Sequence, residues 1–158
     1  MAPIRSVRIT TAALCAVLAS VGCASSTPSA NLRSLRADYL SIAEPANHRL
    51  DVEVDAYADN AHRDLAAAEK ALRAEAATER HFDRQLAAIS FPPAIEVTAR
   101  ALIRVNEIRA KLTLKQAAAH SIAALLSFTA THDAADAELE AQVRIIRSEL
   151  GLPPPSTS

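Results

Sequence analysis

Leu50-Asp-Val-Glu-Val-Asp-Ala-Tyr57-Ala-Asp-Asn-Ala61-His-Arg-Asp-Leu65-Ala-Ala-Ala68-Glu-Lys-Ala-Leu72 is the stretch that decides the fold class. Its apolar positions Leu50, Val54, Tyr57, Ala61, Leu65, Ala68 and Leu72 recur every three or four residues, which is the period of one face of an α-helix. Leu86 and Ile89 extend the stripe, and Glu69, Lys70, Arg73, Glu75 and Arg80 fall on other faces, where they read as solvated. Strand-like alternation occurs only at Asp51-Val52-Glu53-Val54-Asp55, inside this longer helical pattern, and is outweighed by it.

Working outward, three more stripes have the same period. One runs through Val105, Ile108, Leu112, Ala119, Ile122 and Leu126. Another comprises Ala135, Leu139, Val143, Ile146 and Leu150, and a shorter one carries Leu32, Leu35, Tyr39 and Ile42. The expectation is an all-α antiparallel helical bundle of three to four helices with a long central hairpin. Helices are expected near residues 31–43, 46–90, 93–130 and 133–150. Pro45 begins or kinks a helix, because the residue before a proline avoids the α region. Pro92-Pro93 break the chain after Phe91 and make the hairpin turn. Asp133 is placed as an N-cap, and Thr113 with Gln116 matches a capping box. Asp59-Asn60 and Thr113 are possible breaks. Without them the hairpin would reach roughly 55–70 Å and its tip at Phe91 would protrude.

Composition agrees. The chain has 158 residues, 36 of them alanine, with only 5 aromatics, 2 glycines and a formal charge of −1. Gly22 and Gly151 lie near the ends, so the body lacks the glycines that phosphate-cradling and dinucleotide-binding loops require. The balanced charge gives no reason to expect nucleic acid as a partner. Gly151 is placed to cap the last helix, and Pro153-Pro154-Pro155 open a proline-rich tail, 151–158, that cannot continue it. Glu107 with Lys111 and Glu140 with Arg144 are spaced as helix-surface ion pairs.

The N-terminus reads as an export signal. Arg5 and Arg8 precede an apolar run from Ile9 to Gly22 that is too short to span a membrane, and small polar residues follow. Leu18-Ala-Ser-Val-Gly-Cys23 resembles the lipobox of bacterial lipoproteins, with Ser20 where that motif usually has leucine. The resemblance implies a signal peptide of residues 1–22, lipidation of Cys23, a flexible tether over 23–30 and a helical body over 31–150. Ordinary signal cleavage after Ala24 is the alternative, and an uncleaved anchor a third. Cys15 leaves with the signal, so residues 23–158 hold one cysteine and no intramolecular disulfide.

Chemistry is sparse. The histidines are His48, His62, His81, His120 and His132. None has a glutamate three residues before it, as a di-iron bundle would need, and Asp59-x-x-His62 is the nearest approach. His62 or His120 could serve a haem across the bundle, but Cys-x-x-Cys-His is absent. No nucleophile motif occurs, and the carboxylates Asp51, Glu53, Asp55 and Asp59 read as a solvated face. Asn106, mid-helix, reads as a buried register-setting residue or as the lining of a pocket.

Tyr39-Leu-Ser-Ile-Ala-Glu-Pro-Ala-Asn-His-Arg-Leu-Asp51, Phe82 through Phe91-Pro92-Pro93 to Leu102, and Ile146-Arg-Ser-Glu-Leu-Gly-Leu-Pro-Pro-Pro155 together resemble a loose group of alanine-rich helical lipoproteins exported by actinobacteria. The resemblance covers about residues 37–155. It implies export, lipidation and a helical fold, and carries over no activity and no functional residue. The functional expectation is a non-enzymatic module, lipid-anchored on the extracytoplasmic face of the cell membrane, that binds an envelope protein through the hairpin and Phe91. The alternative is a carrier or sensor for a small ligand, haem or metal. No catalytic, cofactor-binding or metal-ligating residue is assigned, and Cys23 is the one site residue.

Overall fold

A computed structural model describes residues 27–155. The expected signal peptide, Cys23 and residues 156–158 lie outside the described residues. The protein is an all-α helical bundle. Its elements are α1 (Thr27–Asn60), α2 (Leu65–Ala88), α3 (Pro93–Gln116), a single short turn of helix α4 (Ile122–Leu126) and α5 (Thr129–Glu149). α1 begins within the stretch read as a tether.

The first boundary differs from expectation. Pro45 does not divide two helices; it lies inside α1, a continuous helix of 34 residues. A proline there removes the N–H that would reach Ser41 and crowds the preceding turn. Its ring faces solvent, while Ala43 and Ala46 on either side are buried against the bundle. Packing of that face holds the helix through the defect. The long helix expected over 46–90 is divided instead at 61–64, just after Asp59-Asn60. Asp64 takes the extended N-cap conformation there, and its carboxylate accepts from the Ala67 N–H at 2.9 Å. This break folds the chain back on itself, so α2 and α3 are each 24 residues long, about 36 Å, and no long spike projects.

The turn between α2 and α3 falls at Pro92-Pro93 as the sequence indicates, with Pro93 in the first turn of α3. Phe91 is not a protruding tip. It is half-buried and packs onto the core. α3 stops at Gln116 rather than running to 130, so Thr113 and Gln116 close a helix and do not open one. The Thr113 hydroxyl donates back to the Arg109 carbonyl at 3.2 Å. α4 starts from Ser121, whose hydroxyl accepts from the Ala124 N–H. Asp133 is not a cap, because α5 already begins at Thr129. The Phe128 carbonyl accepts from the His132 N–H at 3.0 Å and continues the helical ladder past Asp133.

Gly151 behaves as expected, at φ +63°. The Gly151 N–H donates to Ser148 O at 2.9 Å and the Leu152 N–H to Arg147 O at 2.7 Å, the paired bonds of a Schellman cap.

The close helix pairs are α1–α2, α2–α3 and α3–α5. α1 and α5 do not form a fourth close pair; they are the two walls of a groove floored by α2 and α3. At one end of the bundle, Leu35, Tyr39, Leu86, Ile95, Leu102, Ile146 and Leu150 make a core of large side chains. At the other, Ala61, Ala68, Leu72, Ala117 and Leu125 make a smaller one of mainly small residues. The two clusters are separate, and what lies between them is polar.

Candidate functional site: a buried charged layer

The middle of α2 continues the stripe from Leu72 to Leu86 in steps of three and four, but with Glu75, Glu79 and Asp83 in the intervening positions. All three are buried, so Glu75 does not lie on a solvated face as its charge suggested. α3 meets them with a face of Thr98, Asn106, Thr113 and Gln116 among Ile95, Ala99, Leu102 and Ala110. Ile108, read as part of that helix's apolar face, is 58% exposed, and the neighbouring Arg109 turns inward instead.

Arg109 organises the layer. Its guanidinium Nη1 donates to Glu75 Oε1 at 2.6 Å and also to Glu79 Oε1, and its Nε donates to Asp136 Oδ1 on α5. Thus one cation is shared by three carboxylates from two helices, Glu75 and Glu79 buried and Asp136 partly open to solvent. Asn106 supports the next position along. Its side-chain amide donates to Asp83 Oδ1 at 2.9 Å and to the Glu79 carbonyl at 3.2 Å. Farther along, the Gln116 amide donates to the Tyr57 hydroxyl at 2.9 Å and to Leu125 O at 3.0 Å, joining α3 to α1 and α4.

Negative charge outnumbers positive here, and the carboxyl groups respond. Burial pushes Glu79 up to about 8; Arg109 opposes this, while Glu75 and Asp83 reinforce it. Asp83 is pushed up to about 6, chiefly by burial, against the hydrogen bond from Asn106. Glu79 Oε2 and Asp83 Oδ2 are buried without a hydrogen-bond partner. Burial works against the charge on Arg109, but Glu79, Glu75 and Asp136 outweigh it and hold the guanidinium firmly protonated. His132, half-buried at the groove wall, is held below the usual imidazole range by burial and by Arg109, and its Nε2 is likewise buried and unpartnered.

Two openings reach this layer along the α1/α5 groove. The first, of about 180 Å³, lies over Glu75, Arg109 and Gln116, between Tyr57 and His132. The second, of about 100 Å³, lies over Glu79 and Asn106, between Tyr39 and Leu50 on one wall and Leu139 and Val143 on the other. The arrangement can hold or yield a proton near neutral pH in a nearly dry setting. It can also present a carboxyl group to a small guest.

Of the residues singled out from sequence, Asn106 lies in this layer, buried and pocket-lining. Gln116, read as part of a capping box, and Glu75, read as solvated, also lie in it, and His132 stands at its wall. His48, His62, His81 and His120 are exposed and contribute nothing to it. Among the described residues no three histidine, cysteine or acidic side chains are grouped as metal ligands. Sequence reading missed Glu79, Asp83, Arg109 and Asp136, and named His132 without giving it a role. The available signal was the spacing on α2, where the acidic residues hold the positions that should have been apolar.

The sequence matches no family model, and comparison with curated proteins and with solved structures finds no match to either.

Proposed function

We propose that this protein is a lipoprotein anchored through Cys23 on the extracytoplasmic face of the cell membrane, and that it works by non-covalent binding rather than by catalysis. The observation that carries the reading is Leu18–Cys23 followed after three residues by the first helix. Between Cys23 and Thr27 the chain spans at most about 14 Å even when extended. A lipid on Cys23 therefore holds the start of α1 close to the bilayer. Among the described residues no helix is long and apolar enough to cross a membrane.

This short tether supports an orientation. The start of α1, the Ile89–Pro92 turn and the end of α5 share one end of the bundle, packed around Leu35, Ile95 and Leu150. They are the membrane-proximal end. The 61–64 break and α4 occupy the opposite, outward end, and the α1/α5 groove opens along the side. An envelope protein partner would meet the outward end or the groove, not Phe91, which packs inward at the anchored end.

The test is fractionation with metabolic fatty-acid labelling. Cys23→Ala should lose the label and move the protein from the membrane to the soluble fraction. Persistence of both label and membrane association in the variant overturns the reading. The small-ligand alternative is favoured by one separate observation, the cavity over Glu79.

A further inference from the structure

We propose that the cavity over Glu79 is a binding site for a small organic ammonium ion with a short apolar chain. The site goes beyond the anchoring proposal and does not depend on it.

The cavity is enclosed by parts of four helices. Tyr39 and Leu50 come from α1, Phe82 from α2, Leu102 from α3, and Leu139 and Val143 from α5. Beside these side chains Asn47, Asn106 and Arg147 also line the cavity, and Glu79 supplies a carboxyl group whose side chain is only 2% exposed. One of its oxygens is taken by Arg109, and the other, Oε2, is buried with no partner. A buried oxygen without a hydrogen bond is costly and rare in folded proteins, and Glu79 is one of the residues lining the cavity. A donor arriving in that space would satisfy it.

The donor's chemistry follows from the charges. Glu75, Glu79 and Asp136 share the single guanidinium of Arg109, and Asp83 stands one helical turn beyond Glu79 with its own unpartnered oxygen. A cation pairs with the carboxylate formed when Glu79 gives up its proton, whereas a neutral donor offers no such charge and an anion is repelled by the neighbouring carboxylates. The rings of Tyr39 and Phe82, both in the lining, meet edge-to-face with centroids 6.5 Å apart and add apolar surface. The leucines and the valine suit a hydrocarbon chain. Size sets the limit. At about 100 Å³ the space is smaller than the roughly 150 Å³ that accommodates benzene in an engineered core. A primary amine of about four carbons is the scale that fits. Arg147 also borders the cavity and keeps its charge while its Nε donates to Pro153 O at 2.7 Å, so the ammonium group has to seat against Glu79 rather than against Arg147.

Binding has a defined proton balance. Near pH 7 Glu79 carries a proton, and pairing with an ammonium ion expels it, so ligand uptake releases up to one proton to solvent. The groups facing Glu79 in this exchange are Glu75 and Asp83 on its own helix, Arg109 on α3, Asp136 and Arg147 on α5, and Tyr39 on α1.

The experiment is calorimetric titration of the full chain in detergent with n-butylammonium chloride at pH 7.0, in two buffers of different ionisation enthalpy. n-Butanol is the neutral control. The expected result is saturable butylammonium binding with proton release, at least tenfold tighter than butanol. Glu79→Gln, which keeps the shape and removes the charge, should weaken butylammonium about tenfold or more and abolish proton release, leaving butanol unchanged. Leu50→Trp, which fills the cavity from its rim, should weaken both ligands. Equal butylammonium affinity in the native chain and Glu79→Gln overturns the proposal. So does the absence of saturable binding up to 20 mM while native Tyr39 and Phe82 ring resonances show the chain folded.

Discussion

The apolar end of the bundle and its polar middle are built from the same helices with the same residue spacing, yet they are stabilised by different physics. At the apolar end Leu86, Leu102, Ile146 and Leu150 are wholly buried and need nothing from one another beyond shape. In the middle, Glu75, Glu79, Asp83, Asn106 and Arg109 occupy the equivalent positions, and each depends on a specific partner. Removing a methylene from the first region costs in proportion to the space left. Removing one partner from the second leaves a buried charge without compensation, and that asymmetry makes the middle both the weak point of the fold and its chemically interesting part.

The largest expected effect tests this directly. Arg109→Met keeps much of the side-chain bulk but leaves Glu75 and Glu79 buried without their cation. Breaking a buried ion pair from one side costs about 3–5 kcal/mol, and urea unfolding should show a loss of that size. Leu102→Met at the apolar end, a near-isosteric change, should cost less than about 1.5 kcal/mol. Adding Glu75→Gln to Arg109→Met should restore a substantial part of the loss, because it removes a carboxyl group left without its cation. If Arg109→Met proves as mild as Leu102→Met, the contrast between the two regions fails.

The same contrast explains what the sequence could and could not reveal. Stripes of leucine and isoleucine made the all-α class, the α2–α3 hairpin and the inward face of α5 legible. Pro92-Pro93 and Gly151 mark stops whose backbone reasons are local. The polar layer is illegible to hydrophobic periodicity because its residues replace the apolar ones. On α2 the pattern simply lapses between Leu72 and Leu86, and on α3 it drifts toward Val105 and Ile108 although Asn106 and Arg109 face inward. Pro45 misled for a different reason. Its local penalty is real, but burial of Ala43 and Ala46 is a tertiary effect that no local rule contains. Asp133 is likewise a good cap residue made redundant by a helix that starts a turn earlier.

A smaller effect separates the regions by pH. Glu79 titrates at about 8 in the fold, well above the ordinary glutamate value. The folded state therefore holds a proton that the unfolded chain has lost across that interval, so stability falls as pH rises through it. Asp83, at about 6, acts in the same direction over a lower window. His132 acts oppositely: its imidazole is held below its usual range, so stability is lost as pH falls below about 6.5. Stability should already be falling as pH rises between pH 5 and 6 and decline by roughly 2 kcal/mol, as an order of magnitude, between pH 6 and 8. Glu79→Gln should flatten most of that decline. Leu102→Met should shift the whole curve without changing its slope, since nothing at the apolar end titrates in this range. A native curve that rises from pH 6 to 8 would contradict the assignment of the layer as over-acidic.

The smallest effect belongs to the closure of the apolar end. There the α5 cap turns the chain at Gly151, Leu152 folds back onto the core, and Arg36 from α1 donates to Leu150 O. A side chain at residue 151 meets two obstacles. The left-handed φ of +63° disfavours any Cβ by about 1 kcal/mol, and the new methyl would overlap the Arg36 guanidinium. The second obstacle is soft, because that guanidinium ends a flexible side chain and can move at the loss of one hydrogen bond. Gly151→Ala should therefore lower stability by about 1–2 kcal/mol, well below the loss from Arg109→Met. Repeating the substitution in an Arg36→Ala background separates the two causes. If the backbone dominates, Gly151→Ala retains most of its cost there. If the cost vanishes, the contact with Arg36 was the constraint, and the apolar end would depend on a specific polar partner as the middle does.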